Sequence, residues 1–195
     1  GEDRGARILS DCAREIRSVV DLPIQAQCEP PHDHQWHCRM KEAGIDSLGM
    51  HIEVVNPQLR RKIMPGKSQV SLEKYFESFY FAVDVFGWGQ VSTYILAGLG
   101  DTVDEVIGIC RKLTSIGVYP FVVPFVPVSG TPLESHSPPS PKFMRSILEP
   151  LAEMIKESGM GADKIKAGCG RCGACSALSA FERIKQLSTR EPLAC

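Results

Sequence analysis

The stretch Val91-Ser92-Thr93-Tyr94-Ile95-Leu96-Ala97-Gly98-Leu99-Gly100-Asp101-Thr102 decides the fold. Val91 to Leu96 is mostly apolar and rich in β-branched and aromatic residues, the composition of a strand buried on both faces. Gly98 and Gly100 permit a tight turn, and Thr102 with Glu105 makes a capping box for a helix that closes at Gly117. A second buried strand, Tyr119 to Val126, follows directly. Strand, capped helix, strand is a βα crossover, and such crossovers join parallel strands.

The same rhythm extends outward in both directions. Upstream, Ile8, Leu9, Cys12, Ile16, Val19 and Val20 recur at helical spacing between Arg4 and Val20, and Ile24 to Cys28 reads as a strand after Pro23. A helix through His37 to Glu42 closes at Gly44, and Ser47 to Val54 is the next expected strand. A short basic helix spans Leu59 to Ile63, and Pro65-Gly66 precedes an amphipathic helix with Leu72, Tyr75, Phe76, Phe79, Tyr80, Val83 and Phe86 on its core face. Downstream, Ser140-Pro141 supplies an N-cap and first-turn proline for a helix carrying Phe143, Met144, Ile147, Leu148, Leu151 and Ile155. Four strands in 195 residues fall short of the roughly 250 residues of a full eight-stranded barrel. The expected fold is therefore α/β: a partial (βα) TIM-type barrel of parallel strands, truncated at the amino end, with a short Cys-rich carboxyl-terminal extension. The expected division is 1–134 for the partial barrel and 135–195 for the extension.

Composition narrows the function. Net charge is −1, from 22 basic and 23 acidic residues evenly mixed, which gives no electrostatic footprint for nucleic acid or an anionic membrane. No apolar run approaches the roughly 20 residues of a bilayer span, and the amino end lacks a signal profile, so a cytoplasmic location is expected. Of eight cysteines, three form the run Cys169-Gly170-Arg171-Cys172-Gly173-Ala174-Cys175. Three thiolates in one glycine-relieved turn suit an iron–sulfur cluster, and zinc also accepts them.

In parallel α/β folds ligands lie at the carboxyl ends of strands. Those positions hold Glu29, Glu53, the turn Gly98 to Asp101, and the run Val128-Ser129-Gly130-Thr131-Pro132-Leu133. By default Glu53 would pair with Arg60 or Arg61, and Lys67 would be solvated. His32, His34, His37 and Cys38, with Cys28, sit in a Pro-rich loop and read as solvated or substrate-facing rather than as a metal site. Cys12 and Cys110 read as small buried hydrophobes.

Four segments taken in order resemble the radical S-adenosylmethionine (SAM) enzymes, in the branch that includes biotin synthase, the hydrogenase-maturation protein HydE and methylornithine synthase. Gly1-Glu2-Asp3 is similar to the end of that family's second strand. Met50-His51-Ile52-Glu53 with Leu59, Arg61-Lys62 and Pro65-Gly66 resembles the fourth. Tyr94 to Thr102 resembles the fifth-strand glycine motif, and Val126 to Leu133 the sixth-strand segment. More narrowly, Gln27 to Pro31, Gly49 to Glu53, Ile63 to Lys67 and the cysteine run resemble an uncharacterised radical SAM group encoded beside nitrilases.

The resemblance implies SAM as cofactor, with Glu2 at its methionyl amino group, Glu53 at the ribose hydroxyls, Gly98, Gly100 and Asp101 on the methionyl and adenine side, and Val126 at the adenine. It implies a [4Fe–4S] cluster on a C-x-x-x-C-x-x-C run; this sequence has none, and its expected place is upstream of Gly1. Cys169, Cys172 and Cys175 are then expected to hold an auxiliary iron–sulfur cluster. The implied partners are a small-molecule substrate and a reductant such as ferredoxin or flavodoxin, and this stretch alone is expected to be inactive. The rival reading is a non-catalytic iron–sulfur or zinc-binding scaffold or electron-transfer module.

Overall fold

A computed structural model describes residues 3–188. Four parallel strands, β1 (Gln25–Gln27), β2 (Ser47–Gly49), β3 (Val91–Ala97) and β4 (Val118–Pro124), pair in sequential order. A doubly wound sheet reverses its order at a switch point, so this unreversed order is an arc of a barrel. The expected α/β partial barrel is the fold observed.

The helices are α1 (Ala6–Val19), α2 (Gln35–Glu42), α3 (Pro57–Ile63), α4 (Leu72–Phe86), α5 (Val103–Ser115), α6 (Pro141–Glu157), α7 (Cys169–Cys172) and α8 (Leu178–Ser188), with a 3₁₀ turn at Lys67–Gln69. Their starts follow their caps. Asn56 accepts from the N–H groups of Gln58 and Leu59 ahead of Pro57, Ser140 caps α6 ahead of Pro141, and Thr102 and Glu105 form the reciprocal capping box of α5. Helices α4, α5 and α6 pack on the sheet, and α8 packs on α6.

One hydrophobic core crosses the expected boundary at 134: Ile147, Leu151, Ile165 and Leu178 join the cluster that holds Leu48, Ile95 and Val122. No helix among the described residues is long and apolar enough to cross a membrane.

Four local expectations change. Strand β2 stops at Gly49, because the amide of Ile52 turns to the Thr93 side chain and the carbonyls of Ile52 and Val54 accept from buried Arg60; only Glu53 keeps a bridge, to Ile95. Helix α1 exists but its orientation is inverted. Ala6, Ser10 and Ala13 are buried, while Ile8, Ile16 and Val19 are exposed, as is Cys12. On α4, Tyr75, Phe79 and Phe86 enter the core and Tyr80 faces solvent. Strand β4 ends two residues before Val126.

Candidate functional site

At the carboxyl end of β1 and β2, three charged side chains converge. Lys67 Nζ lies 2.7 Å from Glu53 Oε1 and 3.3 Å from Glu29 Oε1. The ammonium reaches both carboxylates because the 3₁₀ turn after Pro65-Gly66 folds back over the strand ends. Lys67 is thus an ion-paired, half-buried residue rather than a solvated one, and Glu53 pairs with it rather than with Arg60 or Arg61. Beneath the cluster the hydroxyl of Tyr75 donates to the other oxygen of Glu29; burial, with that carboxylate second, pushes the phenol well up.

The backbone that presents Glu53 is over-determined. Its φ is 60°, in the left-handed region that costs a non-glycine residue about 1–3 kcal/mol. Its amide donates to the Tyr94 carbonyl at 2.8 Å and its carbonyl accepts from Leu96 at 2.8 Å. Arg60, 3% exposed, donates to the Ile52 and Val54 carbonyls on either side and to the Val70 carbonyl. The two oxygens of Asp101 accept from Val55 and Asn56 at 2.9 and 2.8 Å, fixing the same loop from β3. Burial raises the Asp101 carboxyl against those hydrogen bonds, which lower it.

The glycine turn is lined from within. A Cβ on Gly98, at φ 105°, would meet the Pro139 ring at 2.7 Å, and one on Gly100, at φ 118°, would meet Leu59 at 3.0 Å. His136 Nε2 lies 2.8 Å from the Gly98 carbonyl, so the segment after β4 folds back over this turn. Val126 is 65% exposed on the stretch between. Glu2 lies outside the described residues.

The face of the sheet opposite α4, α5 and α6 mixes polar and aromatic side chains. Gln25 Nε2 donates to Ser92 Oγ at 3.3 Å, Gln27 to Gln25 at 3.3 Å, and the Tyr94 ring meets Phe121 edge-on at 5.2 Å. The Cys-rich segment covers this face. Gln90 clamps it by donating to the Lys164 carbonyl and accepting from Lys166, each at 3.0 Å. Gly168 lies directly on the Gln25 carboxamide, where any Cβ would collide, and Ser176 Oγ donates to the Val122 carbonyl at 2.6 Å.

This docking brings Cys169 and Cys175 to the Tyr94 hydroxyl; burial first, then these two thiols, push the phenol up. Cys172 turns outward, lining a cavity of about 300 Å³ with Asp163, Arg171, Glu182 and Arg183. Among the described residues no three His, Cys, Asp or Glu side chains converge as a metal-binding group.

His51 joins the two regions. Its Nδ1 accepts from the Tyr94 amide at 3.1 Å, its ring meets the Tyr94 ring edge-on at 4.6 Å, and its Nε2 is buried without a partner among the described residues. Burial first, then the Lys67 charge, pulls its pKa down to about 4, so the imidazole is neutral at pH 7. Sequence reasoning passed over His51, Tyr94 and His136. The signal was present as alternation: Gln25 and Gln27, then Ser92 and Tyr94, are polar at period two, which marks one face of the sheet as set apart from the apolar core.

No family model matches the chain. Over 136 residues, 69% of its length, the chain is 30% identical to bacteriochlorophyllide c C-7(1)-hydroxylase of Chlorobaculum limnaeum, of which this covers 34%. Its fold matches that of coproporphyrinogen III oxidase HemN from Escherichia coli, a radical SAM enzyme, with a TM-score of 0.55 and 15% identity over 79% of this chain and 37% of that one. The likeness to the hydroxylase is one of sequence, and the likeness to HemN is one of fold. The chain spans about a third of the length of each of these proteins. Within this fold, Glu53 lies on the loop beyond β2 and bridges to β3, the glycine turn follows β3, and the cysteine run lies against the sheet face opposite α4, α5 and α6.

Proposed function

We propose that this chain is the SAM-binding and substrate-facing part of a radical SAM enzyme of the biotin synthase, HydE and methylornithine synthase branch. A [4Fe–4S] cluster and SAM, when bound, would supply the radical chemistry for hydrogen abstraction from a small substrate. The chain's own residues bind and orient. The carboxylate of Glu53 accepts hydrogen bonds from the ribose diol, a fit supported by its acceptor-only chemistry and by Oε2, which carries no hydrogen bond among the described residues while Lys67 holds Oε1. Glu2 would meet the methionyl ammonium, and Gly98, Gly100 and Val126 would border the methionyl and adenine end. Asp101, whose oxygens are already committed, acts by holding the loop that presents Glu53.

Cys169, Cys172 and Cys175 would carry an auxiliary iron–sulfur cluster beside the face that bears Tyr94. A ferredoxin or flavodoxin would supply the electron, in the cytoplasm. The observation that carries the reading is Glu53 itself, held at a costly backbone angle by hydrogen bonds on both sides, since such an outlier persists where the surroundings impose it. Calorimetric titration of SAM into the protein tests it. Glu53→Ala is expected to weaken binding about tenfold or more, the worth of a hydrogen bond to a charged group; unchanged affinity would count against the assignment.

A further inference from the structure

Pro30 and Pro31, which follow Glu29 in the chain, help line a separate cavity of about 110 Å³. Ligand pockets for whole small molecules run to about 300 Å³ or more, so this one suits a single functional group. At roughly 30 Å³ per water, it has room for a phosphate or carboxylate and little else.

Its lining is rich in donors: Arg4, His32, His34, Gln69 and Lys74, against one carboxylate, Glu77. Among the described residues neither Arg4 nor Lys74 has a carboxylate partner. Arg4 Nη2 instead faces His32 Nε2 at 3.5 Å, a long contact in which the guanidinium must donate. Arg4 is held at φ 49°, one of two non-glycine residues with positive φ among those described; the other is Glu53. His34 is fixed by stacking on Phe81 at 4.3 Å, and its Nδ1 is buried without a hydrogen-bond partner. Two cations without a carboxylate partner, one of them on a strained backbone, and a histidine with an unpartnered ring nitrogen line one small cavity. A compact group that is negatively charged and accepts hydrogen bonds matches this lining.

We propose that this cavity binds a compact oxyanion, the carboxylate or phosphate group of a small-molecule substrate, and anchors that molecule beside the strand ends. As an anion site the cavity stands alone; its role as substrate anchor rests on the radical SAM reading. Arg4 and Lys74 supply charge, and His32, His34 and Gln69 supply direction.

The test is a nitrogen-edited NMR titration of the full chain with inorganic phosphate and, separately, with acetate, without SAM or iron. Saturable shifts at the Arg4 Nε–H and the His34 ring are expected. The anion that saturates at lower concentration identifies the substrate group as phosphate or carboxylate. Arg4→Gln and Lys74→Gln should each weaken binding about tenfold, with the remaining amide spectrum unchanged. Glu77→Gln should tighten it, a gain that misfolding cannot imitate. Absence of saturable shifts with both anions would overturn the proposal, as would unaltered affinity in the Arg4→Gln/Lys74→Gln double variant. Because no cofactor is present, failure here leaves the SAM reading standing, and failure of SAM binding leaves this site standing.

Discussion

Residue scale matters most for two neutral histidines. His37 is buried, with Nε2 2.9 Å from Ser78 Oγ, and burial first, then His34, pulls its pKa from 6.5 to about 4, as for His51. The unfolded chain takes up these protons as pH falls through 6.5, whereas the folded chain resists until about 4. Their contribution is therefore whole above pH 6.5 and is lost progressively between 6.5 and 4, by an amount on the order of 3 kcal/mol each at 1.36 kcal/mol per pKa unit. Urea unfolding at steps between pH 4 and 7 should show stability rising with pH. His37→Gln should reduce that slope, and an identical slope would contradict the assignment.

At this scale legibility was uneven. Glu53 was legible as a residue at the carboxyl end of the sheet, although its strand stops at Gly49 and only a single bridge to Ile95 holds it there. Lys67 was not, because its two partners are brought to it by chain reversal after Pro65, not by spacing. Cys12 shows the opposite error: helical periodicity located the helix but not the side that faces inward, since the buried side is made of Ala6, Ser10 and Ala13.

Among the elements, caps were the most readable features and overlong strands the least. The Thr102–Glu105 box, Ser140-Pro141 and the Gly44 turn all lie where side-chain chemistry demands a boundary. The expected strand Ser47 to Val54 failed after Gly49 because a buried arginine and the Thr93 hydroxyl satisfy backbone groups that a ladder would otherwise claim, a competition invisible in composition. One consequence concerns Asn56, whose side chain caps α3 and donates to Glu105 at 2.7 Å, tying the loop after Glu53 to α5. Asn56→Ala should destabilise the protein by about 1–2 kcal/mol, seen as a lower denaturation midpoint with an unchanged urea m-value. Loss below about 0.3 kcal/mol would show that the cap does not hold this loop.

For the whole molecule, the arc of parallel strands was legible because buried strands and capped helices alternate, and that alternation admits few topologies. What could not be read was how the carboxyl-terminal segment returns. The Cys-rich run lies on the sheet face opposite α4, α5 and α6, clamped by Gln90 and seated on Gln25, so one core spans what the sequence divides at 134. That return leaves two regions on one sheet: acidic and lysine side chains at the strand ends, and thiols against Tyr94 on the face, with His51 between them. The most direct test of the account is 5′-deoxyadenosine formation by the complete gene product, reconstituted with iron and sulfide without oxygen and given SAM and dithionite. The account predicts SAM-dependent, dithionite-dependent 5′-deoxyadenosine that falls at least tenfold in Glu53→Ala; protein with its iron–sulfur complement in place that forms none would contradict it.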